Sequence, residues 1–236
     1  MAATITQIND QHELGLTYNP ELIIATGKSR YETKWKNKTM LWSALLSKLR
    51  KSLETPETHA EFMQMSKDEQ DRIKDIGGFV GGHLKDGRRK TGAVIARQIL
   101  TLDLDFAPVD LKDQIIDSLD PDLGCAMALY STHKHTDKKP RLRLIMPLDR
   151  QVSADEYEAI ARKIAEKVGI DFFDDTTYQA TRLMYWPSHP TDVVPYFWYL
   201  DGPVLKADDV LNEQPDWTDT SYWPESSRMT GIRKKQ

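Results

Sequence analysis

The chain has 236 residues, 39% of them hydrophobic, enough for a sizeable core in one large domain or a catalytic domain with an appended subdomain. Its net charge of −4 gives no global basic field, so nucleic-acid contacts must rest on local clusters: Arg88-Arg89-Lys90, the stretch 134–139, Arg141 with Arg143, and Arg233-Lys234-Lys235. A lone cysteine, Cys125, excludes an internal disulfide and a structural zinc site, and no signal core or membrane-length apolar run is present, so a soluble cytoplasmic protein is expected.

Residues 1–90 read as polar and mostly helical, an N-terminal helical and β extension packed on the core. Within 39–53, Trp42, Leu45, Leu46, Leu49 and Leu53 recur at helical spacing and form one apolar stripe. Thr58 with Glu61, and Ser66 with Glu69, have the spacing of capping boxes that open helices. The run Gly77-Gly78-Phe79-Val80-Gly81-Gly82 predicts a glycine-punctuated strand, and Lys85-Asp86-Gly87-Arg88 a hairpin turn. Its glycines serve either tight turns or close approach of the backbone to a ligand.

From 91 to 200 the rhythm changes. Residues 94–106 predict a strand and 110–119 a short helix with Leu111, Ile115, Ile116 and Leu119 inward. Two further strands are expected over 124–133 and 141–148, separated by a basic loop. Ser153 with Glu156 opens a helix whose stripe is Tyr157, Ile160, Ala161, Ile164, Ala165 and Val168, and Gly169 closes it. A last short strand is expected over 182–186, stopped by Pro187. The order β-α-β-β-α-β is that of an RRM-like (split βαβ) palm, an α+β fold with both helices on one face of an antiparallel sheet and the other face free for function. Residues 201–236 are acidic and punctuated by Trp and Pro before a basic end, and read as an extension or linker.

The sharpest chemical signal is Leu100-Thr-Leu-Asp103-Leu-Asp105-Phe106. Side chains alternate along a strand, so Asp103 and Asp105 project from one face and Leu102, Leu104 and Phe106 from the other. Two carboxylates about 7 Å apart repel unless a cation lies between them, and hard oxygen ligands suit magnesium or manganese. Ser131 and His133 are expected to share a face of the next strand, and Arg141 and Arg143 a face of the one after. Together they would form a metal-and-triphosphate surface, since hydroxyl, imidazole and guanidinium donors suit phosphate oxygens. Completing two octahedral metal shells calls for a third carboxylate. Asp174 is the first choice, with Asp175 and Asp171 behind it, and Arg182 is placed to reach phosphates or template.

Asp-x-Asp, Ser-x-His and a late Asp on this frame resemble the archaeo-eukaryotic primase superfamily. The stretch from residues 74–82 through Leu102-Asp-Leu-Asp105 to Arg182-Leu-Met-Tyr-Trp-Pro187 is similar to the front half of virulence-associated protein E-type primase-helicases of phages and mobile elements. The likeness spans roughly residues 25–225. It implies a primase-polymerase with an archaeo-eukaryotic primase (AEP) catalytic core, working in a bacterial host cell by two-metal phosphoryl transfer. Asp103, Asp105 and Asp174 would hold Mg2+ or Mn2+. Ser131, His133 and Arg182 would contact an incoming NTP or dNTP. A single-stranded DNA template would run along basic residues such as Arg88, Arg89, Lys90 and Lys134, with Tyr185 or Trp186 offering stacking faces. A helicase domain or protein is the expected partner. The cysteine cluster of many primases is missing, and the chain carries no helicase sequence, which reads as a fragment or a stand-alone relative.

Two other readings compete. His133-Lys-His135 resembles the paired histidines of rolling-circle initiator endonucleases, with Tyr157 as the nucleophile, although that leaves the Asp pair unexplained. A non-catalytic nucleic-acid module on the same fold is the other, opposed by unpaired acids that would repel phosphate. Thr26-Gly-Lys-Ser29 fails as a P-loop, because Leu22 stands where its first glycine belongs.

Overall fold

The computed structural model of the protein describes residues 14–109 and 124–229. The N-terminal segment holds as many strands as helices or more, which corrects the mostly helical expectation. In chain order it contains β1 (Glu21–Gly27), β2 (Lys36–Leu41), α1 (Trp42–Arg50), β3 (Leu53–Thr55), α2 (His59–Gln64), α3 (Lys67–Lys74), β4 (Gly78–Val80) and β5 (Gly82–Leu84). β2 escapes a sequence reading because it is a polar edge strand (Lys-Asn-Lys-Thr-Met-Leu) with no fully buried position and so no alternation to detect. The capping boxes at Thr58 and Ser66 open α2 and α3 as expected, satisfying backbone donors that such short helices would otherwise leave open.

The rest of the chain forms β6 (Val94–Leu104), β7 (Met127–Ser131), β8 (Leu142–Val152), α4 (Ala154–Val168), β9 (Met184–Tyr185), β10 (Ser188–Pro190), β11 (Phe197–Leu200) and α5 (Ala207–Asn212). The helix expected over 110–119 lies outside the described residues. The palm sheet has the order β11-β7-β8-β6-β5, antiparallel throughout. A second sheet runs β2-β1-β4-β9, and β10 pairs with β3 in parallel. The strand expected over 182–186 is therefore reassigned. Only Met184 and Tyr185 are extended, and they pair with β4 in the second sheet, because β5 already occupies the palm edge beside β6. The palm sheet thus begins with β5, ahead of the boundary drawn at residue 90.

The glycine run is where the chain passes from one sheet to the other. A side chain on Gly78 would collide with the Met184 carbonyl, and one on Gly82 with the Ala96 carbonyl. Close approach is indeed the reason for these glycines, but the neighbour is protein backbone.

One face of the palm sheet buries Leu100, Leu102, Leu104, Leu142, Leu144 and Met146 against the Tyr157, Ile160, Ala161, Ile164 and Ala165 stripe of α4. Each large side chain removed from water there contributes about 1.5–3 kcal/mol. Ser153 caps α4 with a full capping box, and Gly169 ends it at φ 119°, a region closed to most side chains. Phe106, beyond the end of β6, leaves the alternation and lies exposed under the Arg228 guanidinium. Leu205, Val210 and Leu211 join the α4 core, and Trp217 and Trp223 pack on it. Within residues 201–229 the chain is therefore built into the fold, in contrast to the linker expectation. The opposite face of the sheet was expected to be free. Instead Trp42, Leu45, Leu46 and Leu49 of α1 share a core with Ile99, Ala128, Tyr130 and Ile145 of the palm. What stays open is a cleft at the Asp103 end of that face.

Candidate active site

Antiparallel register sets the floor of this cleft. Arg143 on β8 stands opposite both Asp103 on β6 and Tyr130 on β7, so the three side chains share a face. The cleft has a volume of about 580 Å3. Arg143 donates from Nε to Asp103 Oδ1 at 2.6 Å, and from Nη1 to the Tyr185 carbonyl at 2.9 Å. Arg182 reaches the other Asp103 oxygen at 3.2 Å and donates to Asp174 Oδ2 at 2.7 Å, so one guanidinium bridges two of the three predicted acids. The third, Asp105, is paired with Arg141 at 2.8 Å. Burial opposes the charge on Asp103, but the guanidiniums of Arg143 and Arg182 outweigh it and hold the carboxyl below the usual carboxylate range.

Asp174 is placed by the turn that it caps. Its carboxylate accepts from the Thr176 N–H and hydroxyl at 2.9 Å, and its own N–H donates to the Asp103 carbonyl at 3.0 Å. The Asp103 N–H in turn donates to the Thr177 hydroxyl at 2.8 Å. Asp175 and Asp171 point elsewhere, toward Arg228, Ser226 and the Ser227 backbone.

In this structure arginine side chains lie against all three acids. Asp103, Asp105 and Asp174 are oxygen donors of the kind that magnesium or manganese takes. Yet among the described residues no group of three or more His, Cys, Asp or Glu side chains lies close enough to hold an ion. The donors fit in kind, and ions would share them only where the guanidiniums turn away.

Of the predicted phosphate contacts, Arg141, Arg143 and Arg182 are in the cleft. His133 lines it too, but both ring nitrogens are engaged: Nδ1 lies 2.8 Å from the Ser188 hydroxyl and Nε2 3.0 Å from Glu57 Oε1. Burial holds its pKa below the ordinary histidine value, against the pull of Glu57. Ser131 is not brought to the cleft; its hydroxyl accepts from the Tyr196 N–H at 2.9 Å inside the fold. β7 ends at Ser131, so the alternation that would have joined it to His133 stops there. Among the residues expected along DNA, Arg89 and Lys134 line the cleft, whereas Arg88 and Lys90 border a separate hollow on the β5–β6 hairpin. Tyr185 and Trp186 both line the cleft, Trp186 stacked on Phe79 with Lys48 4.2 Å above its ring.

Sequence reasoning missed Glu57 and the cleft residues Arg30, Lys67, Asp71 and Lys74. For the last three a signal existed, since a Lys-Asp-Lys pattern at i, i+4 and i+7 puts all three on one face of α3. Tyr157 is fully buried, its hydroxyl bonded to the Thr101 backbone and its ring under the Arg97 guanidinium at 3.9 Å, and it is not accessible as a nucleophile. No helix among the described residues is long and apolar enough to cross a membrane.

Residues 7–226 match the protein family described as the VapE N-terminal domain. Among solved structures, the AEP domain of the cyanophage S-2L primase-polymerase (PrimPol) is similar at a TM-score of 0.45 and 16% identity, over 81% of this chain and 88% of that one. No curated protein matches.

Proposed function

The chain belongs to the VapE N-terminal domain family, and from that premise we propose that it is a DNA-templated primase-polymerase, a nucleotidyltransferase making primers for phage or mobile-element replication. The observation that carries this reading is the convergence of Asp103, Asp105 and Asp174 with Arg141 and Arg182 in one cleft. In this reading the arginines are placeholders. An incoming nucleoside triphosphate draws Arg182 and Arg141 from carboxylate to phosphate oxygens, which match a planar guanidinium equally well. That exchange frees Asp103, Asp105 and Asp174 to hold Mg2+ or Mn2+. Bound there, the ions supply the charge that activates a primer 3′-hydroxyl and neutralises the departing pyrophosphate. Arg143 stays with Asp103 and positions it. The phosphate contact expected of His133 passes to Lys134 and Arg141, because Glu57 and Ser188 hold both imidazole nitrogens. Single-stranded template runs along the basic residues of the cleft, and a helicase works alongside on the same DNA.

A non-catalytic nucleic-acid module is the second reading. One observation favours it: the acids that would repel phosphate are already neutralised by arginine. Primer synthesis on single-stranded DNA with labelled NTPs or dNTPs and Mg2+ or Mn2+ separates the two, comparing wild type with Asp105→Asn. Metal-dependent oligomers that vanish in the variant are expected. Binding without synthesis makes the chain a recognition module, and strand cleavage with a protein–DNA adduct makes it an endonuclease.

A further inference from the structure

The charges of the cleft are unevenly matched. Eight cationic side chains line it against four carboxylates, an excess of four in a chain whose net charge is −4. On the palm side, Arg141, Arg143 and Arg182 are matched one for one by Asp105, Asp103 and Asp174. The surplus lies mainly on the wall supplied by the N-terminal segment. There Arg30, Lys67 and Lys74 all converge on the single carboxylate of Asp71, at 2.6, 2.6 and 2.8 Å. Arg89 adds a fourth cation, whose side chain donates to the carbonyls of Arg30 and Thr181, with no carboxylate partner among the described residues, and lies over the Trp35 ring. Three chain segments therefore meet to build this wall: the β1–β2 loop, one face of α3, and the β5–β6 hairpin.

Concentrating like charges beside a half-buried surface is unfavourable until an anion arrives. Lys74 shows the strain: burial and the neighbouring Lys67 lower its pKa, although Asp71 opposes them. Arg89 is lowered by burial in the same way, with Arg182 and Arg30 adding to it. Three of these cations are gathered around one carboxylate, which suits a dense terminal polyphosphate better than the evenly spaced charges of a phosphodiester strand.

Building on the primase-polymerase reading of the same cleft, we propose that Arg30, Lys67, Lys74 and Arg89 form a second anion site, which takes the 5′-triphosphate of the nucleotide that becomes the first residue of the primer. That nucleotide's 3′-oxygen forms a bond to the α-phosphorus of the incoming nucleotide. The bond from that phosphorus to its bridging oxygen breaks, pyrophosphate leaves, and the 3′-hydroxyl proton passes to water. The first nucleotide's own triphosphate takes no part in the bond changes and stays on the N-terminal wall.

The test uses the full chain and the variant Lys67→Gln/Lys74→Gln. Calorimetric titration with a non-hydrolysable α,β-methylene NTP, in the presence of Mg2+ and a template oligonucleotide, is expected to give two nucleotides per chain for wild type and one for the variant. Unprimed synthesis falls by about tenfold or more, while extension of a pre-annealed primer changes by roughly twofold at most. A single nucleotide bound to wild type overturns the proposal even where the enzyme polymerises. Equal loss of unprimed synthesis and extension also overturns it, assigning the wall to the incoming nucleotide. A fall in single-stranded DNA affinity with a shallower salt dependence overturns it in favour of a template track. Where wild type does not polymerise at all, the polymerase reading fails and the titration alone decides whether the second site exists.

Discussion

Asp103→Asn is expected to destabilise the protein far more than Asp105→Asn, although both acids belong to the same predicted motif. Asp103 is 5% exposed and Arg143 8%, and their 2.6 Å contact is backed by two longer ones from Arg182. Asparagine keeps the shape and an acceptor oxygen for Arg143 Nε but removes the charge, leaving the enclosed guanidinium with neutral partners: the amide oxygen, the Tyr185 carbonyl and the Tyr130 hydroxyl. Removing one partner of a buried ion pair costs about 3–5 kcal/mol. Arg182 can fall back on Asp174 and Arg143 keeps its carbonyl, so the lower end, about 3 kcal/mol, applies. The Asp105–Arg141 pair has side chains 30% and 20% exposed, and its loss costs about 0–1 kcal/mol. Urea denaturation monitored by tryptophan fluorescence reads both as shifts in midpoint at constant slope. In a double-mutant cycle, Asp103→Asn with Arg143→Met is less destabilised than the sum of the singles by about 2 kcal/mol. Equal losses for the two acids, or simple additivity in the cycle, would refute the buried-pair account. The same reasoning makes Asp105 the cleaner residue for an activity test, because an inactive Asp103 variant confounds chemistry with folding.

Tyr157→Phe is expected to cost about 1–2 kcal/mol through the lost bonds to Thr101 while leaving primer synthesis intact; a covalent protein–DNA adduct seen in wild type and abolished in this variant would revive the endonuclease reading. His133 and His189 are both held below the ordinary histidine value of 6.5, chiefly by burial. As pH falls through about 6.5 the unfolded chain takes up protons there before the folded one does, so stability declines on acidification and is level above that window. Melting temperature is expected to be lower at pH 5 than at pH 8, with a smaller difference in His133→Gln, and an identical pH profile in that variant would refute the assignment.

How far the sequence could be read depended on how local the determining physics was. α4 was legible to its last residue, because a capping box, an apolar stripe and a terminal glycine are all written within seventeen consecutive positions. The two acids and the two arginines were legible for a related reason. Strand alternation puts Asp103 and Asp105 on one face and Arg141 and Arg143 on another strand's face, and only the register that brings them together had to be found. The same logic failed for Ser131 and His133, since period-two alternation holds only while the strand lasts and β7 stops at Ser131. Nothing local announced that 182–186 would join a second sheet. That choice stems from β5 having taken the palm edge, an event nearly a hundred residues earlier in the chain. Glu57 was hidden for the same reason, and the α3 cations, although their shared helix face could be read, meet the cleft only once the N-terminal segment folds over the palm. The structure also changes what the Asp pair means. Two carboxylates on one strand face were read as a demand for metal, but antiparallel register delivers arginine to each of them first. In the proposed reading, any ion or triphosphate that enters this cleft competes with a guanidinium already in place, and binding then depends on the exchange of Arg182 between carboxylate and phosphate.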